Sequence, residues 1–295
     1  MADKAWKDRT EFDGEDGGPK HTADIKCSFE SDSTEYLQTQ YPELNNYCIG
    51  MGQTQLILVI AATSMGKTAL MLDVARHLGY DQEIPVAIFS CEMTNQENKQ
   101  RMCSTIANIY NDGPDFSYKN VKMGYISSEQ REYLEEAERQ LNTKPIYMDK
   151  TPGLTPSALK RKMASCIRKH GIKAAFVDHL HNMKSDRPLE RMMELASVSK
   201  EIKDMAVEFE IPIILGCQVN RGVHNRDDKR PRLSDIRHCG EVEEAADQAW
   251  GLYRPSYYNE EGCDELLQLK GRNCGMGNII SLSFNKELAS FQNPL

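Results

Sequence analysis

Along most of this chain, short continuous apolar runs alternate with longer stretches whose apolar positions recur at helical spacing. The runs lie at Leu56–Ala61, 85–91, 145–149, Ala174–Asp178 and 211–218. Runs of this length, bounded by turn residues, read as strands buried on both faces. The stretches between them carry helix-end signals. One helix is predicted to start at Thr94. A second is capped by Ser127 with Gln130 three residues on, and a third has Thr155 as N-cap, Pro156 in its first turn and a stop near Gly171. A longer helix over about 188–210 offers Leu189, Met193, Ala196, Ile202, Met205 and Phe209 as a buried stripe. Strands alternating with helices pair in parallel through crossovers, which predicts an α/β fold with a mostly parallel central sheet flanked by helices. The last fifth differs: residues 251–254, 265–270 and 278–285 read as antiparallel strands joined by tight turns, a C-terminal β-hairpin extension.

The first residues fall outside this alternation. Residues 1–28 are polar and charged, with Gly14, Gly17, Gly18 and Pro19 and almost no apolar periodicity, and read as a disordered or loosely attached arm. Residues 29–47 carry spaced aromatics and leucines (Tyr36, Leu37, Tyr41, Leu44, Tyr47) and read as a linker or subunit-contact segment. They can pack on this domain or on a neighbouring subunit. The remaining 48–295 form the main domain, long enough to bury one large core.

The turn after the first strand, Ala61-Ala-Thr-Ser-Met-Gly-Lys-Thr-Ala-Leu70, narrows the function. A Gly-Lys-Thr sequence between a buried strand and a helix is the setting of a P-loop. N–H groups of Ser64, Met65, Gly66, Lys67, Thr68 and Ala69 would face nucleotide phosphates at a helix N-terminus. Lys67 would reach the outer phosphates, and the Thr68 hydroxyl would bind Mg2+. Ala61 replaces the usual first glycine, while the flanking strand and Leu70, Val74 and Leu78 at helical spacing restore the context.

Three other strands end on polar groups, and ligands of open parallel sheets bind at such strand ends. Asp178 fits the magnesium-binding carboxylate, Glu92 a general base for the attacking water, and Gln218 a sensor of the γ-phosphate. Singly, each is more simply a cap or turn residue. Together beside a P-loop they describe ATP hydrolysis.

Composition adds limits rather than detail. The balance of 36 basic against 44 acidic residues, net −8, excludes a uniformly basic coat but not a local basic strip. Nine cysteines include no C-x-x-C pair, as expected of reduced thiols in the cytoplasm. No apolar stretch is long enough for a membrane span.

Residues 55–70 (QLILVIAATSMGKTAL), 85–93 (PVAIFSCEM), 151–157 (TPGLTPS), 218–221 (QVNR) and 226–237 (RDDKRPRLSDIR) resemble the C-terminal motor domain of DnaB-type replicative helicases. The likeness runs from about Leu44 to Asn293. It implies a RecA-like core, a homohexameric ring on single-stranded DNA, movement driven by ATP, and a primase or helicase loader as partner. It also implies that Lys67 and Thr68 form the P-loop, Glu92 is the catalytic glutamate, Asp178 the Walker B aspartate and Gln218 the sensor. Lys270 and Arg272 match the lysine and arginine finger inserted into the neighbouring subunit's ATP site. Residues 221–238 match a DNA-facing loop, with Arg221, Arg226, Lys229, Arg237 and Gly240 as the contacts expected to hold DNA.

There are departures. The family's Arg-Pro is Ala62-Thr63, its Tyr-Leu-Gln after the aspartate is His179-Leu180-His181, and the acidic position after Arg237 is His238. The two histidines read as substitutions in an inherited loop rather than as a metal site. An N-terminal helical domain is not expected from residues before Leu44. A bare domain also fits a RecA- or RadA-like strand-exchange protein, or a module that joins another helicase ring. A phage or other mobile-element origin, in a bacterial or infected host cell, accords with the short architecture.

Overall fold

Leu56–Ala61 is apolar at every position and wholly buried, so it becomes an inner strand of the main sheet. The computed structural model of the chain describes residues 36–110, 114, 116–187, 190–236, 240–272 and 274–293. The expected arm, residues 29–35, Pro188, Leu189 and Arg237 lie outside the described residues.

Strands β1 (Tyr36–Leu37) and β2 (Met51–Gly52) pair antiparallel around helix α1 (Pro42–Cys48). Tyr41 and Leu44 are buried in the same chain's core, so this part of the 29–47 segment packs on its own domain. The main sheet comprises β3 (Leu56–Ala61), β4 (Val86–Ser90), β5 (Ile146–Lys150), β6 (Ala174–Asp178), β7 (Ile213–Gln218), β8 (Gln248–Tyr253), β9 (Asp264–Gly271), β10 (Ile279–Asn285) and β11 (Ser290–Gln292). Their spatial order is β11-β10-β9-β8-β3-β7-β6-β4-β5. From β8 to β5 all neighbours are parallel, and from β8 outward to β11 they are antiparallel.

The helices are α2 (Lys67–Arg76), α3 (Asn95–Ile109), α4 (Tyr118–Met123), α5 (Ser128–Asn142), α6 (Pro156–His170), α7 (Arg191–Phe209) and α8 (Gly240–Ala245). Their starts follow the capping signals. Thr94 and Glu97, and Ser127 and Gln130, form reciprocal capping boxes. Thr155 caps α6, and Gly171 ends it in the left-handed conformation at φ 63°. No helix among the described residues is long and apolar enough to cross a membrane.

Two expectations need correction. The strand over 251–254 begins earlier, at Gln248, and runs parallel to β3, with Ile57 opposite Gln248; only its other edge is antiparallel. Its direction is set by the return path from β7, which local residue pattern does not encode. The stripe of α7 is Leu195, Val198, Ile202, Met205 and Ala206, whereas Met193 is 59% exposed.

The outermost strand is tied to the P-loop helix. Asp73 of α2 accepts hydrogen bonds from Ser290 Oγ (2.8 Å) and from the Phe291 N–H (2.7 Å). Burial pushes the Asp73 carboxyl up from 3.8 to about 6, against the opposing pull of Arg76 and these bonds. An acid with a raised folded pKa favours the fold most when protonated, so this contribution is lost as pH rises from 3.8 to about 6. Between about pH 4.5 and about pH 7 the wild type should therefore lose roughly 2 kcal/mol relative to Asp73→Asn. Chemical denaturation of both proteins at the two pH values checks this, and an unchanged gap would sink it.

Candidate active site

The chain leaves β3 at Ala61 and turns into α2 through residues 62–66. Gly66 takes φ 99°, and a Cβ there would lie 2.9 Å from the Phe291 ring, so both backbone conformation and space demand glycine. Leu70 N–H bonds back to the Gly66 carbonyl at 2.9 Å, the first bond of the helical ladder. The preceding N–H groups of Lys67, Thr68 and Ala69 have no acceptor within the helix and, with its dipole, form an anion site. Ser64 adopts φ 66° on the exposed side of the turn, and Met65 is buried beneath it.

Lys67 Nζ pairs with Asp178 Oδ1, and Thr68 Oγ1 donates to Asp178 Oδ2 at 2.6 Å. Burial works to raise the Asp178 carboxyl, but the charge and hydrogen bond of Lys67 and the bond from Thr68 outweigh it, holding the group below the usual range. A carboxylate kept ionised beside a hydroxyl is an oxygen donor set suited to a hard divalent cation. Thr68 and Asp178 thus fit Mg2+. Among the described residues no cluster of three His, Cys, Asp or Glu side chains is arranged for a metal.

The strand ends meet as expected. The Cys91 N–H donates to the Asp178 carbonyl at 2.8 Å, which brings Glu92 beside the end of β6. Gln218 Nε2 donates to Thr63 Oγ1 in the P-loop turn. A cleft of about 350 Å³ opens over these groups, lined by Lys67, Thr68, Glu92, His179 and Gln218.

Several residues of this cleft escape sequence reasoning. Arg101 of α3, with Phe284 and Ala289 from the β10–β11 hairpin, lines its far side. Arg254 is buried at the end of β8, its guanidinium 3.7 Å above the Phe284 ring and its Nη1 donating to the Met65 carbonyl at 3.5 Å. Gly216 of β7 has a specific task. A Cβ there would come within 2.7 Å of Lys67 Nζ and 3.0 Å of Asp178 Oδ1. The only sequence signal was a glycine in an otherwise bulky strand. Gly216→Val is expected to displace Lys67 and weaken ATP binding about tenfold or more, the loss of ~1.4 kcal/mol. Titration with a fluorescent ATP analogue reads this, and wild-type affinity would refute it.

Lys270 and Arg272 lie elsewhere. Lys270 pairs with Ala249, and Gly271 with Gln248, itself level with Ile57. The turn after β3 begins beyond Ala61, about 13 Å further along the strand direction at ~3.3 Å per residue. Both cations meet the C-terminus of α8: Lys270 Nζ donates to the Glu243 carbonyl (2.6 Å) and Arg272 Nη2 to that of Glu244 (2.7 Å). They cannot serve the cleft of their own chain from there.

The basic loop is more internally paired than its charge suggested. Arg226 clasps Asp235 at 2.8 and 2.9 Å and donates to the Arg230 carbonyl. Lys229 pairs with Glu260, Arg230 with Glu265, and Arg232 with Asp228. Arg226 and Lys229 therefore have structural partners that the expected DNA role did not include. Arg221 opens a short 3-10 turn, and Gly240 starts α8 with open space where a Cβ would stand.

Residues 36–293 match the family described as the DnaB-like helicase C terminal domain. The replicative DNA helicase DnaC of Bacillus subtilis (strain 168) and the replicative DNA helicase DnaB of Geobacillus stearothermophilus are each 34% identical over 263 residues, 87% of this chain and 56% of theirs. The chain thus spans about half the length of the curated relatives it matches. A DnaB-like replicative helicase, whose structure was described with its interactions with primase, gives a TM-score of 0.80 and 28% identity over 87% of this chain and 61% of that one. A second solved structure, of an isolated ATPase domain, is similar at a TM-score of 0.79, with 29% identity over 86% of this chain and 90% of that one.

Proposed function

The chain belongs to the DnaB-like helicase C-terminal domain family, and on that basis we propose that it is an ATP-hydrolysing motor of DNA replication. It assembles as a homohexameric ring, moves along single-stranded DNA and separates the duplex ahead. The observation that carries this reading is the meeting of Lys67, Thr68, Asp178, Glu92 and Gln218 around one cleft. Lys67 holds the outer phosphates. Thr68 and Asp178 hold Mg2+, which when bound supplies charge neutralisation at the phosphates. Glu92 takes the proton of the attacking water, and Gln218 couples the γ-phosphate to the turn after β7. Lys270 and Arg272 act in the neighbouring subunit's cleft, where a guanidinium offsets charge on the transferred group. DNA is met by the loop following β7, with Arg221, Arg237 and the backbone at Gly240 as contacts. A primase or a helicase loader is the expected protein partner.

The test measures ATP turnover with and without single-stranded DNA, unwinding of a forked duplex, and the mass of the assembly with a non-hydrolysable nucleotide. DNA-stimulated turnover, unwinding and a closed ring are expected. Turnover on open filaments without unwinding would favour a strand-exchange protein instead, and incorporation into another helicase without turnover of its own would favour an inhibitory module.

A further inference from the structure

Glu92 stands just beyond β4 with a side chain 65% exposed. A glutamate has three side-chain torsions, whereas a general base acts only in the geometry that meets its water. The turn following β6 supplies two donors. His179 Nε2 lies 3.3 Å from Glu92 Oε2, and Asn182 Nδ2 lies 3.5 Å from the same oxygen. Both act on Oε2, so the second oxygen is left for the proton.

His179 is built to hold still. The residue is 7% exposed and forms part of the cleft wall. The Cys91–Asp178 backbone bond fixes the two strand ends from which Glu92 and His179 extend. Among the described residues its Nδ1 is buried without a hydrogen-bond partner, so the tautomer that strands no donor carries its proton on Nε2, facing Glu92.

We propose that His179, with Asn182 beside it, is a positioning residue that orients Glu92 for ATP hydrolysis. This rests on Glu92 being the base. The histidine acts on the carboxylate, not on the nucleotide.

The experiment uses the assembled full chain with single-stranded DNA and compares wild type, His179→Phe, His179→Gln and Asn182→Ala. His179→Phe is expected to lower kcat roughly tenfold while KM for ATP stays within about twofold, the pattern of a loss felt in the transition state. His179→Gln, whose amide nitrogen falls near the position of imidazole Nε2, should restore most of the loss. Asn182→Ala should lower kcat by about threefold with the melting temperature unchanged, which keeps the proposal testable if the buried ring cannot be replaced. On a Glu92→Gln background His179→Phe should add no further loss.

Wild-type kcat in both His179→Phe and Asn182→Ala overturns the proposal, as does a defect confined to KM. A His179→Gln protein no better than His179→Phe, with equal melting temperatures, also overturns it by assigning the effect to ring packing. Failure of the underlying reading is separate. It would appear as full turnover in Glu92→Gln or none in the wild type, whatever the His179 variants do.

Discussion

Glu92→Gln should bind ATP with wild-type affinity and lose turnover by a factor of about 10³, within the usual range for removal of a general base. The exchange keeps side-chain length and hydrogen-bonding capacity but removes the basic oxygen pair. Because the side chain is largely exposed, the fold has little to lose by it. Lys67→Ala is a blunter probe. It also stops turnover, but it leaves Asp178 buried without its cation, which costs about 3 kcal/mol or more of stability. Phosphate release together with equilibrium binding of a fluorescent ATP analogue separates the two variants. Turnover of Glu92→Gln within about tenfold of wild type would remove the residue from the base role.

Arg272→Ala and Glu92→Gln, each inactive alone, are expected to regain ATP turnover when their subunits are mixed. In its own chain Arg272 is half-exposed at the end of α8, bonded to Glu244 and near Asp247, and remote from the P-loop turn. Its removal should spare the fold and the binding of nucleotide while lowering turnover about 10³-fold, as loss of an arginine finger does. Random mixing gives on the order of one interface in four that joins an intact Glu92 cleft to an intact Arg272 neighbour, if the ring is head-to-tail. Mixed rings confirmed by mass but devoid of turnover would show that the two residues do not meet across an interface. So would full activity of Arg272→Ala alone.

Much of the fold was legible because continuous apolar runs and capping residues act locally. Leu56–Ala61 and Ala174–Asp178 are strands with the expected bounds, and Thr94, Ser127 and Thr155 cap the expected helices. The placement of Glu92, Asp178 and Gln218 at one edge of the sheet was legible for a related reason: a polar residue ending a buried run must find a partner at the sheet's carboxyl edge. What sequence could not supply is set by distant chain. The direction of β8 depends on its return path. Phe284 and Ala289 reach the cleft only because β11 docks on α2, and Gly216 looks like a weak point of a strand until Lys67 and Asp178 are seen against it. The pairing of Arg226 with Asp235 is not legible, because both lie in a polar stretch where nothing indicates it.

The docking of β11 also bears on biosynthesis. Ser290 joins Asp73 across 217 positions of sequence, and Phe291 backs the turn at Gly66. At ~5–20 residues per second, translation takes roughly ten to forty seconds to cover that interval. Until then a nascent chain carries the turn at Gly66 without its backing strand, the face that Phe291 covers left open. Slowed synthesis should therefore prolong its dependence on chaperones.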